Sequence, residues 1–123
     1  ARMTQIDYDR EMAFIAVRQR EDGHDETLGV VRAVADPDNQ DAEFAIIIRS
    51  DLKGLGLGQM LMNKLIDYFR RRGTQRIVGE TLPDNQALLD LVRGFGFETR
   101  FEPAQETVEL CLNLQIPSGS VPE

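Results

Sequence analysis

The sequence has no tryptophan, one histidine and one cysteine, and only 7% of its 123 residues are aromatic. A single cysteine, Cys111, cannot close a disulfide within the chain, which fits a reducing cytoplasm. It lies between Leu110 and Leu112 and reads as a small core residue, not a nucleophile. The one histidine, His24 in "EDGHDET", sits in a charged turn and offers no metal-ligand set. No apolar run approaches the roughly 20 residues a membrane-spanning helix requires. Nothing has the form of a secretory signal peptide. An excess of positive charge is missing too: 14 Lys and Arg stand against 21 Asp and Glu, a formal net charge of −7. That balance argues against nucleic acid as the main partner, because phosphate binding needs a basic footprint. It suits a cationic partner such as an amine or a lysine-bearing protein.

What remains is an ordinary globular composition, 41% hydrophobic and 28% charged, at a length suited to one core. Residues 1–114 read as a single domain, and residues 115–123, which finish in "IPSGSVPE", read as a tail. A start at Ala1 instead of Met reads as a piece of a longer protein.

The chain opens on a polar stretch, "RMTQIDYDR", with a weak helix or turn signal. Met12 to Val17 reads as a short buried strand. A charged turn around Gly23 predicts a hairpin to a second strand, Leu28 to Ala35. The turn "DPDNQDA" leads to a third strand, Glu43 to Arg49, and the three form an antiparallel meander. From Gly56 to Arg72 the apolar residues Leu57, Met60, Leu61, Leu65, Tyr68 and Phe69 recur three and four apart, as one helix face requires. Arg70, Arg71 and Arg72 favour the negative end of that helix, and Gly73 stops it. Arg76 to Thr81 is another strand. A second helix starts at Pro83-Asp84-Asn85 and runs to about Arg93. Phe97 to Phe101 and Thr107 to Leu114 close the order βββ-α-β-α-ββ. This is an α+β fold: a mixed, mostly antiparallel sheet with helices on its faces.

The third strand runs straight into "KGLGLG" and then the first helix. Free N–H groups and partial positive charge at a helix start suit a phosphate, and glycine lets the backbone come close. A P-loop is excluded, because no Lys-Ser/Thr pair follows. A dinucleotide fingerprint is excluded as well: the third glycine position falls on Gln59 or Leu61, and a meander precedes it. The turn Lys53-Gly54-Leu55-Gly56-Leu57-Gly58 instead resembles the [Q/R]-x-x-G-x-[G/A] signature of the GNAT superfamily of N-acetyltransferases, with Lys for Gln or Arg. A second GNAT signature, Asn-x-x-A-x-x-L-Y-x-x-x-G-F, is similar to Asn85 through Phe97. Asn85, Gly96 and Phe97 agree, and Val92 replaces the usual Tyr. The resemblance covers about Met12 to Leu114. It is strongest to the acetyltransferase domain of bacterial protein-lysine acetyltransferases of the Pat type, a domain often joined to a large acyl-CoA-synthetase-like one.

The resemblance implies acetyl-CoA as co-substrate and a lysine-bearing protein, such as an acyl-CoA synthetase, as acceptor. It implies that Glu43, opening the third strand on one face with Ala45 and Ile47, takes the proton of the amine directly or through a water. A backbone N–H near Ile46 or Ile47 would meet the thioester oxygen. Ile48 and Arg49 would pair with pantetheine through the backbone. Lys53, Gly54, Leu55, Gly56, Leu57, Gly58 and Gln59 would hold the pyrophosphate. Asn85 would touch the pantetheine or sulfur end, or serve only as a helix N-cap. Glu80 is a reserve base, and the Val92 position leaves no general acid. GNAT domains open with a further strand and helices, for which residues 1–11 are too few. That leaves a strand edge exposed and predicts self-association through it. Two other functions fit the same residues: acetylation of a small-molecule amine, and a non-catalytic module that senses acyl-CoA.

Overall fold

The computed structural model describes residues 2–49 and 56–115. Among them the chain forms strands β1 (Arg2–Asp7), β2 (Glu11–Gln19), β3 (Asp25–Ala35) and β4 (Asp41–Ile48), helix α1 (Leu57–Arg72) and strand β5 (Arg76–Thr81). Helix α2 (Gln86–Gly94) and strands β6 (Glu98–Glu102) and β7 (Thr107–Asn113) follow. The strands make one sheet in the order β1-β2-β3-β4-β5-β7-β6. Every neighbouring pair is antiparallel except β4 and β5. The expected α+β class holds.

The meander follows from period-two burial. Met12, Phe14 and Ala16 of β2 and Val31, Ala33 and Ala35 of β3 all point to one face and are buried. Residues 2–10 correct the sequence reading of helix or turn. Residues 2–7 are a strand, in register with β2 from Arg2 opposite Val17 to Asp7 opposite Met12, so they supply a strand ahead of the meander and cover the edge expected to be bare; the outer edge is that of β1. The Tyr8 N–H donates to the Glu11 carbonyl (2.7 Å) to close the turn. No helix precedes β2 among the described residues.

Helix α1 lies on the face that β2 and β3 bury, through Leu57, Leu61, Met62, Leu65, Ile66 and Phe69. Its buried stripe is turned slightly from the expected one: Met60 is exposed, and Met62 and Ile66 take its place. Gly73 ends the helix with φ 83°, and its N–H returns to the last turn's carbonyls. Helix α2 buries Leu89 and Val92 in the same core cluster, so both helices cover one face. Thr74 is the buried polar side chain beneath α1's end; its hydroxyl donates to Asn39 Oδ1 (2.6 Å), and Asn39 Nδ2 donates to the Arg72 carbonyl (3.0 Å). The opposite sheet face carries Ile15, Val30, Val34, Ala45, Ile47 and Val78, with no described helix over it.

One feature of the sheet makes room for a site. Strands β4 and β5 pair only from Asp41 opposite Arg76 to Glu43 opposite Val78. Beyond Glu43, β4 continues to Ile48 with β3 as its one partner strand among the described residues.

Candidate functional site

The unpaired length of β4 lines a pocket of about 620 Å³. Ile46, Ile47 and Ile48 form one wall, Gly56, Gly58 and Gln59 form another, and Asn85 stands where α2 begins. Seven residues predicted from sequence thus meet around one space. The Arg49 N–H donates to the Leu28 carbonyl (3.0 Å), so it faces β3. Alternation along the strand turns the N–H groups of Ile46 and Ile48 to the open side and that of Ile47 toward β3.

The start of α1 presents backbone N–H groups beside the pocket. Gly56 is the N-cap residue with φ 85°, a left-handed conformation suited to glycine, and no side chain among the described residues caps the helix. Among the described residues its first N–H groups therefore have no side-chain acceptor. Gly58 brings the helix backbone against the pocket: a Cβ there would lie 3.0 Å from Leu91 Cδ2 and 3.1 Å from Ile48 Cδ1. Leu57 faces the other way, buried in the core. Lys53, Gly54 and Leu55 lie outside the described residues.

Asn85 caps α2, its Oδ1 accepting from the Leu88 N–H (3.3 Å), and its Nδ2 donates to Thr81 Oγ1 (3.0 Å). It lines the pocket as well. The remaining wall comes from α2: Ala87, Leu88, Asp90 and Leu91. Sequence reasoning missed these four. The signal was present in Leu88 and Leu91, apolar and three apart, which stay partly open while Leu89 and Val92 fill the core.

Glu43 stands at the far end of the open edge, three residues from Ile46, roughly 10 Å along an extended strand. It does not line the pocket. Its carboxylate lies exposed on the open sheet face between Val34 of β3 and Val78 of β5, with no hydrogen bond or ion pair to another described residue. Arg49 turns its guanidinium onto Glu26 (2.7 Å), which Arg18 also grips. Those two arginines hold the Glu26 carboxyl below the usual range, Arg18 most strongly.

The other candidates lie elsewhere. Val92, in the Tyr position, is 0% exposed within the core. Glu80 is exposed, opposite Glu109, and accepts from Thr107 Oγ1 (3.4 Å). Cys111 sits across from Val78 on the open face, and burial pushes its thiol up. His24 is exposed beside Asp22, and no metal-holding cluster occurs among the described residues. Arg70, Arg71 and Arg72 end a 16-residue helix whose start is the glycine turn, about 24 Å away at 1.5 Å per residue. No helix among the described residues is long and apolar enough to cross a membrane.

Comparison with known proteins agrees with this geometry. The family model described as "Acetyltransferase (GNAT) family" matches residues 2–97. A Pseudomonas aeruginosa protein named as an acetyltransferase is 36% identical over 102 residues, which are 83% of this chain and 54% of that protein. The chain thus spans about half the length of this relative. The solved GNAT domain of S. lividans PAT superposes with TM-score 0.72 at 20% identity, over 87% of this chain and 64% of that one. Campylobacter jejuni N-acetyltransferase PseH, solved in complex with acetyl coenzyme A, gives TM-score 0.65 at 24% identity, over 86% of this chain and 70% of that one. With the family model spanning most of the sequence and the fold in agreement, the chain belongs to the GNAT family of acetyl-CoA-dependent N-acetyltransferases.

Proposed function

We propose that this domain transfers acetyl from acetyl-CoA to the side-chain amine of a protein lysine. One observation carries the reading: among the described residues, a helix start with no side-chain cap and the open edge of β4 meet in one pocket, and the Glu43 carboxylate, with no hydrogen bond or ion pair, stands further along the same strand. The residues present fit the cofactor. N–H groups at Gly58 and Gln59 suit the pyrophosphate, and the sequence motif extends that role to Lys53, Gly54 and Leu55, which lie outside the described residues. Ile48 and Ile46 offer outward backbone groups to pantetheine and to the thioester oxygen. The side chains of Leu88 and Leu91 shelter the chain between them.

Acetyl-CoA, when bound, supplies an electrophilic thioester carbonyl. A lysine ammonium, with a pKa near 10.4, must first lose a proton. Glu43 is the acceptor of that proton, directly or through one water, since its carboxylate has no competing partner among the described residues. Val92 gives up no proton, so the thiolate leaves unassisted or takes one from water.

The likeness to the S. lividans PAT domain supports a protein lysine as acceptor, and so does the net charge of −7. A small-molecule amine is the second reading, favoured by the open face around Glu43, which sets no lower limit on acceptor size. The same proposal makes residues 1–114 one domain with 115–123 as its tail. It allows a cytoplasmic setting, consistent with the lone free Cys111, and self-association through the edge strand β1.

Calorimetric titration with acetyl-CoA, with NAD as control, is the direct test. Saturable binding of acetyl-CoA alone is expected, and equal binding of both or of neither would overturn the site. Glu43→Gln should then keep acetyl-CoA affinity and lower kcat on a lysine peptide by about 10²–10⁴-fold. An unchanged rate removes Glu43 as the base; a wild-type domain that binds but never transfers is a sensor.

A further inference from the structure

We propose that Phe44 and Gly79 form an end wall that limits this site to short acyl chains, acetyl above all. The inference rests on the cofactor lying in the pocket assigned above.

The pocket has a direction. Its phosphate end is at Gly56, Gly58 and Gln59, against Ile48. From there the open edge of β4 runs back through Ile46 toward Phe44. The gap between β4 and β5 narrows on the way and shuts where Glu43 pairs with Val78. A thioester lying along this edge therefore sends its acyl group into the closing angle between the strands.

That angle is filled. Phe44 is only 7% exposed, and it alternates onto the same face as Ile46 and Ile48. Its ring lies on the backbone of Gly79 in β5: a Cβ at Gly79 would stand 2.8 Å from Phe44 Cε1 and 3.0 Å from Cδ1. No other described glycine is approached so closely. Phe97 backs the ring, with centroids 5.6 Å apart. The ring is thus held between β5 and Phe97, and the pocket's lining on β4 begins only at Ile46. An interior packed this way yields little space. An acetyl methyl ends before the ring, and each added methylene must displace it.

Gly79 has a matching explanation. A side chain there would collide with the Phe44 ring at 2.8 Å and displace it, and on this proposal the displaced ring moves along β4 toward Ile46, where the pocket lining begins. Gly79→Ala should therefore shorten the acyl end, and Phe44→Leu should lengthen it.

The test is calorimetric affinity for acetyl-, propionyl- and butyryl-CoA, which needs no acceptor. In the wild type, Kd should rise about tenfold or more from acetyl- to butyryl-CoA, the discrimination that one or two methylenes give against a tight apolar wall. Phe44→Leu should shrink that ratio by about threefold or more, and Gly79→Ala should widen it. Gly58→Val is the control for the site itself, because its side chain blocks the pocket at Leu91 and Ile48. If Gly58→Val abolishes binding while the wild type holds all three chains equally well, the site stands and the end wall fails. If Gly58→Val leaves acetyl-CoA affinity unchanged, the site is misplaced and the end wall falls with it. The wild-type series decides the matter even where Phe44→Leu does not fold.

Discussion

Asn85 has two duties that substitution can separate. Its Oδ1 accepts the Leu88 N–H as the cap of α2, while its Nδ2 reaches Thr81 and its side chain borders the pocket. Asn85→Ala removes the cap and should cost about 1 kcal/mol in chemical denaturation. Asn85→Asp keeps the acceptor and adds a charge that the helix start favours, so stability should hold. If the pocket holds acetyl-CoA as proposed, a carboxylate beside that anion should nonetheless weaken its binding several-fold. Equal affinity in Asn85→Asp and wild type would reduce Asn85 to a cap. The sequence motif pointed to this residue and left both duties open; the structure assigns the cap and puts the side chain at the pocket. For Glu43, alternation in the sequence placed it only at the strand start, on one face with Ala45 and Ile47. That its carboxylate looks onto the open face, three residues away from the pocket wall, depends on where β4 and β5 part, and no local pattern encodes the length of a parallel pairing.

Three strands are tied at one end by Glu26, which accepts from Arg18 on β2 (2.8 Å) and from Arg49 just past β4 (2.7 Å). The Arg18 hydrogen bond and then the Arg49 one lower the Glu26 pKa. A carboxylate lowered in the folded state adds stability above its unfolded value, about 4.3, and loses it as pH falls through the folded value. Glu26→Gln should therefore flatten the acid limb of a Tm-against-pH curve, with the difference from wild type disappearing below the folded pKa. Parallel curves for the two proteins would mean that the network adds no pH-dependent stability. At this scale much was legible. The meander, α1 and the strand after it carry strong periodicity, because each buries one regular face. Strand β1 was not legible, since an edge strand with Arg2, Gln5 and Asp7 alternates too weakly to stand apart from a turn. The α2 wall was missed for the opposite reason: Leu88 and Leu91 look like core until the pocket beside them is known.

Among the described residues, two helices cover one face of a seven-stranded sheet and none covers the other, where Ile47 is 74% exposed and Val34 47% exposed. An apolar face and an unpaired edge together favour contact with a further chain, while a net charge of −7 opposes it between like copies. Backbone pairing at β1 is the route that charge resists least, because Arg2 and Asp7 leave that strand with no net charge of its own. The Tyr8 N–H faces β2, so alternation turns those of Ile6 and Thr4 inward and that of Gln5 to the outer edge. Gln5→Pro therefore deletes an outward donor and spares the β1–β2 ladder, a position where an edge strand tolerates proline. Sedimentation velocity at rising protein concentration should reveal a dimer in the wild type and a monomer in Gln5→Pro, and added salt should strengthen the wild-type dimer by screening repulsion. A dimer that persists in Gln5→Pro would transfer the contact to the open face, where Ile47→Lys should then dissolve it. A wild type that stays monomeric throughout would mean that the polar side chains of β1 suffice to protect its edge.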